Sequence, residues 1–283
     1  MMKPAHNIAV LMYHHVTEHG GSLSVSAQNF EHQILGLARK GYRALRADEF
    51  AAFLDGAPMP KKSVVITFDD GYLDNWVYAH PVLARYGMTA LLFTVTGLIG
   101  QGPVRPHAGQ GKTVPNCPPH DQAQALMQGS NPDSVMLRWD EIQEMTRAGS
   151  FEIHSHTHTH TRWDYRCDSI EERDARFQED LEASRDALNT HLGHVSSHLC
   201  WPQGYFNDTY KQIAAAQGFR HLYTTDARGQ NTLGGDASHI YRLATRNRRA
   251  SWLNQRIWLA THPFWGPRYN AWKAAGNARK RAG

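Results

Sequence analysis

An α/β fold, built as a (β/α) barrel that is distorted or incomplete and has about seven parallel strands, is what this 283-residue sequence predicts. Three observations predict it. Short apolar runs alternate with longer amphipathic ones, the pattern of parallel strands joined by right-handed crossovers. Neither GxGxxG nor GxxxxGK[ST] follows an apolar run, so the competing open, doubly wound sheet lacks its usual nucleotide fingerprints. The residues with most chemistry fall at the C-terminal ends of four apolar runs, where parallel α/β folds place their sites.

Taken in order, IAVLMY (8–13) is a buried strand. Residues 27–40, with Phe30, Ile34, Leu35 and Leu37, form a helix ending at Gly41, and ADEFAAFLDG (47–56) forms another with Asp48 as its cap. SVVITF (63–68) is continuous and β-branched, as a strand buried on both faces requires. A helix over 72–86 carries Pro81 within it and stops at Gly87, and TALLFTV (89–95) is the next strand. Residues 97–134 are rich in Gly, Pro, Asn and Gln and lack periodicity; insertions of that length serve as lids or binding loops. Helix 137–148, strand 150–155, a long polar helix over 168–191, strand 197–201, helix 206–217 and strands 219–225 and 240–245 complete the series. No repeat or linker divides the chain. Residues 1–283 read as one domain carrying the 97–134 insertion and a basic, aromatic C-terminal extension over 250–283.

Hydrophobic residues make up 41% and charged residues 20%, an ordinary globular balance. A net charge of +4, scattered along the chain, argues against a nucleic-acid partner. Cys117, Cys167 and Cys200 are too few for a disulfide framework. The N-terminal apolar run is too short for a secretory signal peptide, is interrupted by His14 and His15, and is followed by no cleavage site. No stretch is long enough to span a bilayer. The expected location is the cytoplasm.

TFDDG (67–71) sets two carboxylates side by side after a buried strand. Asp69 and Asp70 point in different directions there, so one can bind a metal while the other takes a proton from water. A helix N-cap is the plainer use of such a pair. FEIHSHTHTHTRW (151–163) then places His154, His156, His158 and His160 on alternate positions. Along an extended strand, residues i and i+4 lie roughly 13 Å apart, too far to share an ion at about 2.0–2.1 Å. In a helical turn the same pair shares a face with roughly 6 Å of rise. A metal pair therefore requires the strand to end and the chain to coil. His154 with His158 and His156 with His160 both fit, an i, i+2 strand pair is a third arrangement, and a His-rich surface loop is the bland one.

TFDDG, then E-I-x-S-H-T-x-T-H, then W-P-x-G resembles the polysaccharide deacetylases of carbohydrate esterase family 4, in order from about residue 8 to about residue 246. That family's histidine motif is H-[ST]-x-x-H, preceded by Glu, an aliphatic residue and Gly. Glu152 and Ile153 set the register, so the resemblance implies Asp70, His156 and His160 as metal ligands and Asp69 as general base. His154 takes the family's glycine position, and His158 points away from the metal or contacts substrate. The third motif, R-x-P-x-G, reads Cys200-Trp201-Pro202-Gln203-Gly204 here, without the arginine that orients the base. Pro202 and Gly204 imply a tight turn whose backbone N–H at Gln203 faces the oxyanion, with Trp201 beside it. Cys200 has no paired base to make it a nucleophile.

A C-terminal L-x-H motif, source of the family's general acid, has no clean match; His262 lies near one. In the branch resembling poly-N-acetylglucosamine deacetylases a Y-H pair after the first strand supplies this histidine, and Tyr13-His14 matches it, which implies Tyr13 as a substrate contact. His14 is the expected acid, with His15 and His262 as rivals. The implied reaction is metal-dependent hydrolysis of the N-acetyl group of an amino sugar. The implied cofactor is one divalent ion, best matched by zinc, with cobalt, nickel or iron of similar fit. The partner is an N-acetylated glycan or a lipid-linked saccharide. Trp252, Trp258, Phe264, Trp265, Tyr269 and Trp272, mixed with Arg256, Arg268, Lys273, Arg279, Lys280 and Arg281, suit peripheral contact with the inner face of an anionic membrane; a terminal helix with a solvated basic tail is the plainer reading. Deformylation of a lipid-linked amino sugar, a non-catalytic glycan- or metal-binding module and a His-rich metal buffer are the competing functions.

Overall fold

The apolar runs form strands, and the sheet they build explains how one end becomes a site. The computed structural model describes residues 4–129 and 131–282, with side chains through residue 275. Strands are β1 (Asn7–Tyr13), β2 (His15–Thr17), β3 (Ser24–Ser26), β4 (Arg43–Ala44), β5 (Ser63–Asp70), β6 (Ala90–Thr94), β7 (Phe151–Ser155), β8 (His198–Cys200), β9 (His221–Tyr223), β10 (Asn231–Thr232) and β11 (Leu243–Ala244). Helices are α1 (Ala27–Arg39), α2 (Ala47–Leu54), α3 (His80–Arg85), α4 (His120–Gln128), α5 (Trp139–Arg147), α6 (Ile170–Leu192), α7 (Asp208–Ala216), α8 (Ala250–Thr261) and α9 (Trp265–Ala282). The sheet order is β10-β1-β5-β6-β7-β8-β9, with β4 also pairing with β5 and β11 with β1. These pairings are parallel except for β10, which runs antiparallel to β1. The result is a curled, incomplete barrel of seven mostly parallel strands, as expected.

Strand side chains alternate between two apolar layers. Leu11, Tyr13, Ile66, Phe68, Leu92, Phe151 and Ile153 pack under α1, α3, α5 and α8. Val10, Val65, Leu91, Phe93, Cys200 and Tyr223 fill the inside of the curl, which Phe50 and Phe53 of α2 plug from below. The inner line of β5 runs Val65, Thr67, Asp69, and that of β7 reaches His154 and His156. The polar ends of these inner lines are the candidate site.

Several boundaries differ from expectation, each for a local reason. β5 continues through both aspartates because Thr67 to Asp70 stay paired with Leu91 to Thr94. The predicted helix over 72–86 divides at Pro81: a π-helical turn covers Asn75–Ala79, and α3 begins at His80 with proline in its first turn, where no N–H is needed. Asp48 lies inside α2 rather than capping it; Glu49 reaches back to the Arg46 N–H at 3.0 Å. Strand 240–245 shrinks to β11 and a bridge from Ile240 to Tyr223. The 97–134 insertion contains α4, and buried Glu141 of α5 clips it down: Arg105 donates to both Glu141 carboxylate oxygens at 2.7 Å and to the Asp133 and Met136 carbonyls. Among the described residues no helix is long and apolar enough to cross a membrane. Trp258, Phe264, Trp265 and Trp272 of the C-terminal extension are about half exposed or more, and the side chains of Arg279, Lys280 and Arg281 lie outside the described residues.

Inside the curl, His154 sits in a buried group with His198 and His221. His198 and His221 stack at 4.3 Å, and His154 lies 5.1 Å from His198. Ser196, Tyr223 and Ser197 bond the three Nδ1 atoms, and His154 Nε2 has no partner. Burial holds all three neutral, pushing His154 down to about 3. Unfolding exposes imidazoles that take protons near their ordinary value, so between pH about 6.5 and about 3 the unfolded chain binds more protons and stability falls as pH falls. His154 alone then removes about 2–3 kcal/mol between pH 7 and 4.5. Urea-unfolding midpoints should show that decline, and His154→Leu should flatten it.

Candidate metal centre and catalytic cavity

Adjacent residues Asp69 and Asp70 end β5 in opposite circumstances. Asp69 follows the inner line of the strand. Asp70 would by alternation face the helices, but its backbone adopts φ 75°, a conformation costly for a side chain other than glycine. That turn brings its carboxylate to the same side. Gly71 follows at φ 89°, packed so closely that a Cβ would lie 3.1 Å from Ile99 and 3.3 Å from Thr94.

Beyond β7 the chain coils as a shared metal pair requires. Thr157 (φ 64°) and His160 (φ 60°) are left-handed. Asp180 of α6, itself buried, accepts from the His158 and Thr159 N–H groups at 2.9 and 2.8 Å, from Thr159 Oγ1 and from Trp163 Nε1. Thr157 Oγ1 accepts from the His160 N–H at 3.1 Å. The coil sets the His156 and His160 rings 4.8 Å apart, their Nε2 atoms 3.4 and 3.6 Å from Asp70 Oδ1. This is the second of the two registers the sequence allowed.

The chemistry of this trio calls for a cation. His156 Nδ1 lies 2.8 Å from the Cys200 carbonyl, which can only accept, so Nδ1 carries the hydrogen. Burial opposes a charge on His156, but its contacts, that with Asp70 among them, raise its proton affinity well above the usual imidazole range, so Nε2 holds a proton against the carboxylate that a metal ion would replace. Burial opposes ionisation of Asp70, but its contacts with His156 and His160 outweigh it and keep the carboxyl far below the usual range. Burial meanwhile pushes His160 down to about 4, leaving its imidazole neutral. With the His156 proton so replaced, three electron-pair donors converge, their ligand atoms within 4.8 Å of one another. Two imidazoles and a carboxylate fit a divalent ion with open positions, and the Nδ1–H bond to Cys200 O is the outer support that fixes such a ligand.

Asp69 has its own cation. Arg242, fully buried just before β11, donates from Nη1 and Nη2 to the two carboxylate oxygens at 2.6 and 2.8 Å, and from Nε to the Thr224 carbonyl at 2.7 Å. Burial works against ionisation of Asp69, but Arg242, with His14, holds it below the usual carboxylate range. The arginine missing from the third motif is therefore supplied by another strand. Its signal was an arginine inside the apolar run IYRLA, a charge that a buried strand must neutralise. Cys200 fills the position where the motif has arginine. It is buried against Arg242 Nη2 at 3.0 Å, with its thiol pushed up by burial.

His14 follows β1, its Nε2 3.8 Å from Asp69 Oδ2, and burial depresses its proton affinity despite the opposing charges of Asp69 and Asp70. His14, Asp69, Asp70, His156, His160, Trp201 and Gln203 share one cavity of about 1170 Å³, above the usual range for a small-ligand pocket and open enough for a segment of a chain. The Trp201–Tyr205 turn is built as expected. Gln203 has φ 53°, Gly204 has φ 71°, and a Cβ on Gly204 would collide with Thr225 Oγ1 at 2.1 Å. Pro202 and Gly204 shape the turn, while Trp201 and Gln203 reach the cavity.

One sequence expectation changes, and three open alternatives close. Tyr13 points into the helix-facing core, stacked on Phe68, its OH donating to Gln33 Oε1 at 2.7 Å, so it does not contact substrate. His158 turns from the cavity to Thr96 Oγ1 at 3.0 Å. His15 is engaged by Asp74 at 2.6 Å. His262 caps the turn after α8, accepting from the Phe264 and Trp265 N–H groups. The sequence reading also missed Asp180, His120, Arg162, Tyr165 and Arg166, the last four of which line the cavity.

Asp180→Ala leaves the coil's N–H groups unpaired and frees the two imidazoles to separate. Divalent-ion affinity, measured by competition with a chromogenic chelator, should fall about 10–100-fold with the fold retained by circular dichroism.

A family profile described as polysaccharide deacetylase matches residues 56–222, more than half of the chain. YxkH of Bacillus subtilis is 42% identical over 99 residues, 35% of each protein. The poly-β-1,6-N-acetyl-D-glucosamine N-deacetylase of Staphylococcus aureus is 24% identical over 207 residues, covering 72% of this chain and 61% of that one. The chain thus matches about a third of the first relative's length and less than two thirds of the second's. Among solved structures, IcaB from Ammonifex degensii aligns with a TM-score of 0.68 at 25% identity over 91% of this chain and 99% of that one. The Streptococcus pyogenes deacetylase PplD in complex with acetate gives 0.68 at 22% identity over 90% and 99%, a likeness of fold. The matched span starts just after α2, ends in β9 and carries both aspartates, both converging histidines and the Trp201–Gly204 turn, and on that footing the chain belongs to the polysaccharide deacetylase family.

Proposed function

We propose that this protein hydrolyses the N-acetyl group of an amino sugar within a glycan, releasing acetate and a free amine. The observation that carries the reading is the convergence of three electron-pair donors, Asp70, His156 and His160, beside an ion-paired carboxylate in one open cavity. When bound there, a divalent ion, zinc being the best match to the donor set, supplies Lewis acidity toward water and an acyl oxygen.

The chain's own residues divide the remaining tasks. Asp69, kept ionised and oriented by Arg242, takes the proton from the attacking water. It is a weak base in that grip, and the acidity of water at the centre compensates. His14 stands 3.8 Å from Asp69. Neutral by burial, it takes up the proton Asp69 has received and gives it to the nitrogen as the C–N bond breaks. The balance is one water and one amide in, and one acetate, one amine and one proton out. In this reading the Gln203 N–H stabilises the oxyanion and Trp201 walls the acetyl group from solvent, which their place in the cavity lining supports.

The name of the Staphylococcus aureus relative supports a poly-N-acetylglucosamine type of substrate. The exposed Trp258, Phe264, Trp265 and Trp272, with Arg256, Arg268 and Lys273 among them, support peripheral contact with an anionic membrane and a lipid-linked saccharide.

Acetate release from N-acetylglucosamine oligomers by the zinc-loaded protein tests the reaction. Asp69→Asn should retain the metal and lose about 10²–10⁴-fold in turnover; equal turnover in the variant would remove Asp69 as the base, and a wild-type protein that binds the oligomers and releases no acetate would reduce the site to a binding module. Co-sedimentation with phosphatidylglycerol vesicles tests the surface. Binding should occur at low salt, weaken at high salt and fall in Trp265→Ser, and absence of binding at low salt would remove the membrane part.

A further inference from the structure

A second buried acid–histidine couple reaches the cavity from the opposite wall. Asp74, 3% exposed, follows the TFDDG segment and accepts on Oδ1 from the Val16 N–H at 2.8 Å. Its Oδ2 lies 2.6 Å from His15 Nδ1, and His15 is fully buried beneath the ring of Tyr72 at 3.9 Å. His15 Nε2 is in turn 3.1 Å from Nδ1 of His120, the first residue of α4 in the 97–134 insertion. His120 lines the cavity together with Gln124, Met127 and Gln128 of the same helix. Positions 120, 124, 127 and 128 are one face of a helix. The adjoining side of α4 is anchored by buried Ala123 against Tyr72, Val135 and Met136. Helix α4 is therefore a wall of the cavity, and His120 is the point at which that wall is bonded to a buried ion pair of the barrel.

The chain of bonds fixes the ring of His120. The Asp74 carboxylate requires hydrogen on His15 Nδ1. One ring nitrogen of His120 is then committed to His15 Nε2, and its other nitrogen is left for the cavity. Whichever of the two facing nitrogens holds the shared hydrogen, the cavity-side Nε2 presents the complementary role, acceptor or donor. A sugar hydroxyl can satisfy either.

From this geometry we infer that His120 is a substrate-binding residue that hydrogen-bonds a hydroxyl of the sugar carrying the acetamido group, and that Asp74 and His15 are the positioning residues that hold it. The inference rests on the deacetylase reading for the identity of the sugar and adds a specificity contact outside the metal centre. A contact of this kind favours hydroxyl-rich substrates over bare acyl groups.

The test compares two substrates of the zinc-loaded protein, an N-acetylglucosamine tetramer and a small aryl acetate with no sugar, and adds calorimetric binding of the tetramer. In His120→Ala the ratio of kcat/KM for tetramer over aryl acetate should fall about tenfold, mostly through KM. Tetramer binding should weaken by a similar factor with metal content unchanged. His120→Gln, which keeps a hydrogen-bonding group at the end of its side chain, should recover part of the loss. His15→Gln should reproduce the loss with His120 intact, which a merely structural role for His15 would not do selectively. An equal fall on both substrates, or none on either, overturns the inference. Wild-type protein that binds the tetramer and releases no acetate overturns the deacetylase reading instead, and the binding loss in His120→Ala still decides the contact.

Discussion

Two neighbouring carboxylates in a buried pocket cannot both go without a positive partner, and the site is organised around that constraint. The chain supplies one cation of its own, Arg242, and gives it to Asp69 in a two-pronged pair. Asp70 instead receives two imidazole nitrogens, one of them oriented by a backbone carbonyl so that its Nε2 faces the carboxylate. Isolated charges are expensive in a low-dielectric interior. The arrangement needs one more positive charge, met by a proton on His156 or by a metal ion in that proton's place. Partner choice thus separates two identical side chains into one gripped by arginine and one facing two imidazoles, without any difference in sequence between them.

Geometry follows from the same need. The turn of Asp70 into positive φ and the coil of residues 156–160 are departures from regular structure, and each is held by neighbours that leave little freedom. Close packing fixes Gly71, and four hydrogen bonds to Asp180 fix the coil. Strained backbone persists where surrounding structure over-determines it. Here that surrounding structure is ordinary secondary structure, β6 on one side and α6 on the other.

Much of this was legible in the amino-acid order. SVVITF and TALLFTV gave their strands by composition, and the impossibility of spanning four strand residues with one ion required the coil before any coordinates existed. The resemblance then selected His156 and His160, and the tautomer of His156 agrees. What was not legible depended on pairings across long stretches of chain. Arg242 looked like one more polar residue in a short strand because its partner lies 173 residues earlier. Tyr13 was adjacent to a functional histidine, and strand alternation sent it to the other face. Helix α4 escaped notice because its periodicity is short and its flanks are rich in proline and glycine.

The 173-residue separation has a bearing on how the protein is made. During synthesis the Asp69 strand emerges long before the arginine that neutralises it. A nascent barrel lacking the Arg242 segment must keep that carboxylate hydrated, so the floor of the cavity cannot dry and close until that segment has left the ribosome. Non-local contacts of this kind slow folding. They also make completion of the catalytic centre a late checkpoint, reached only by molecules whose C-terminal third has docked.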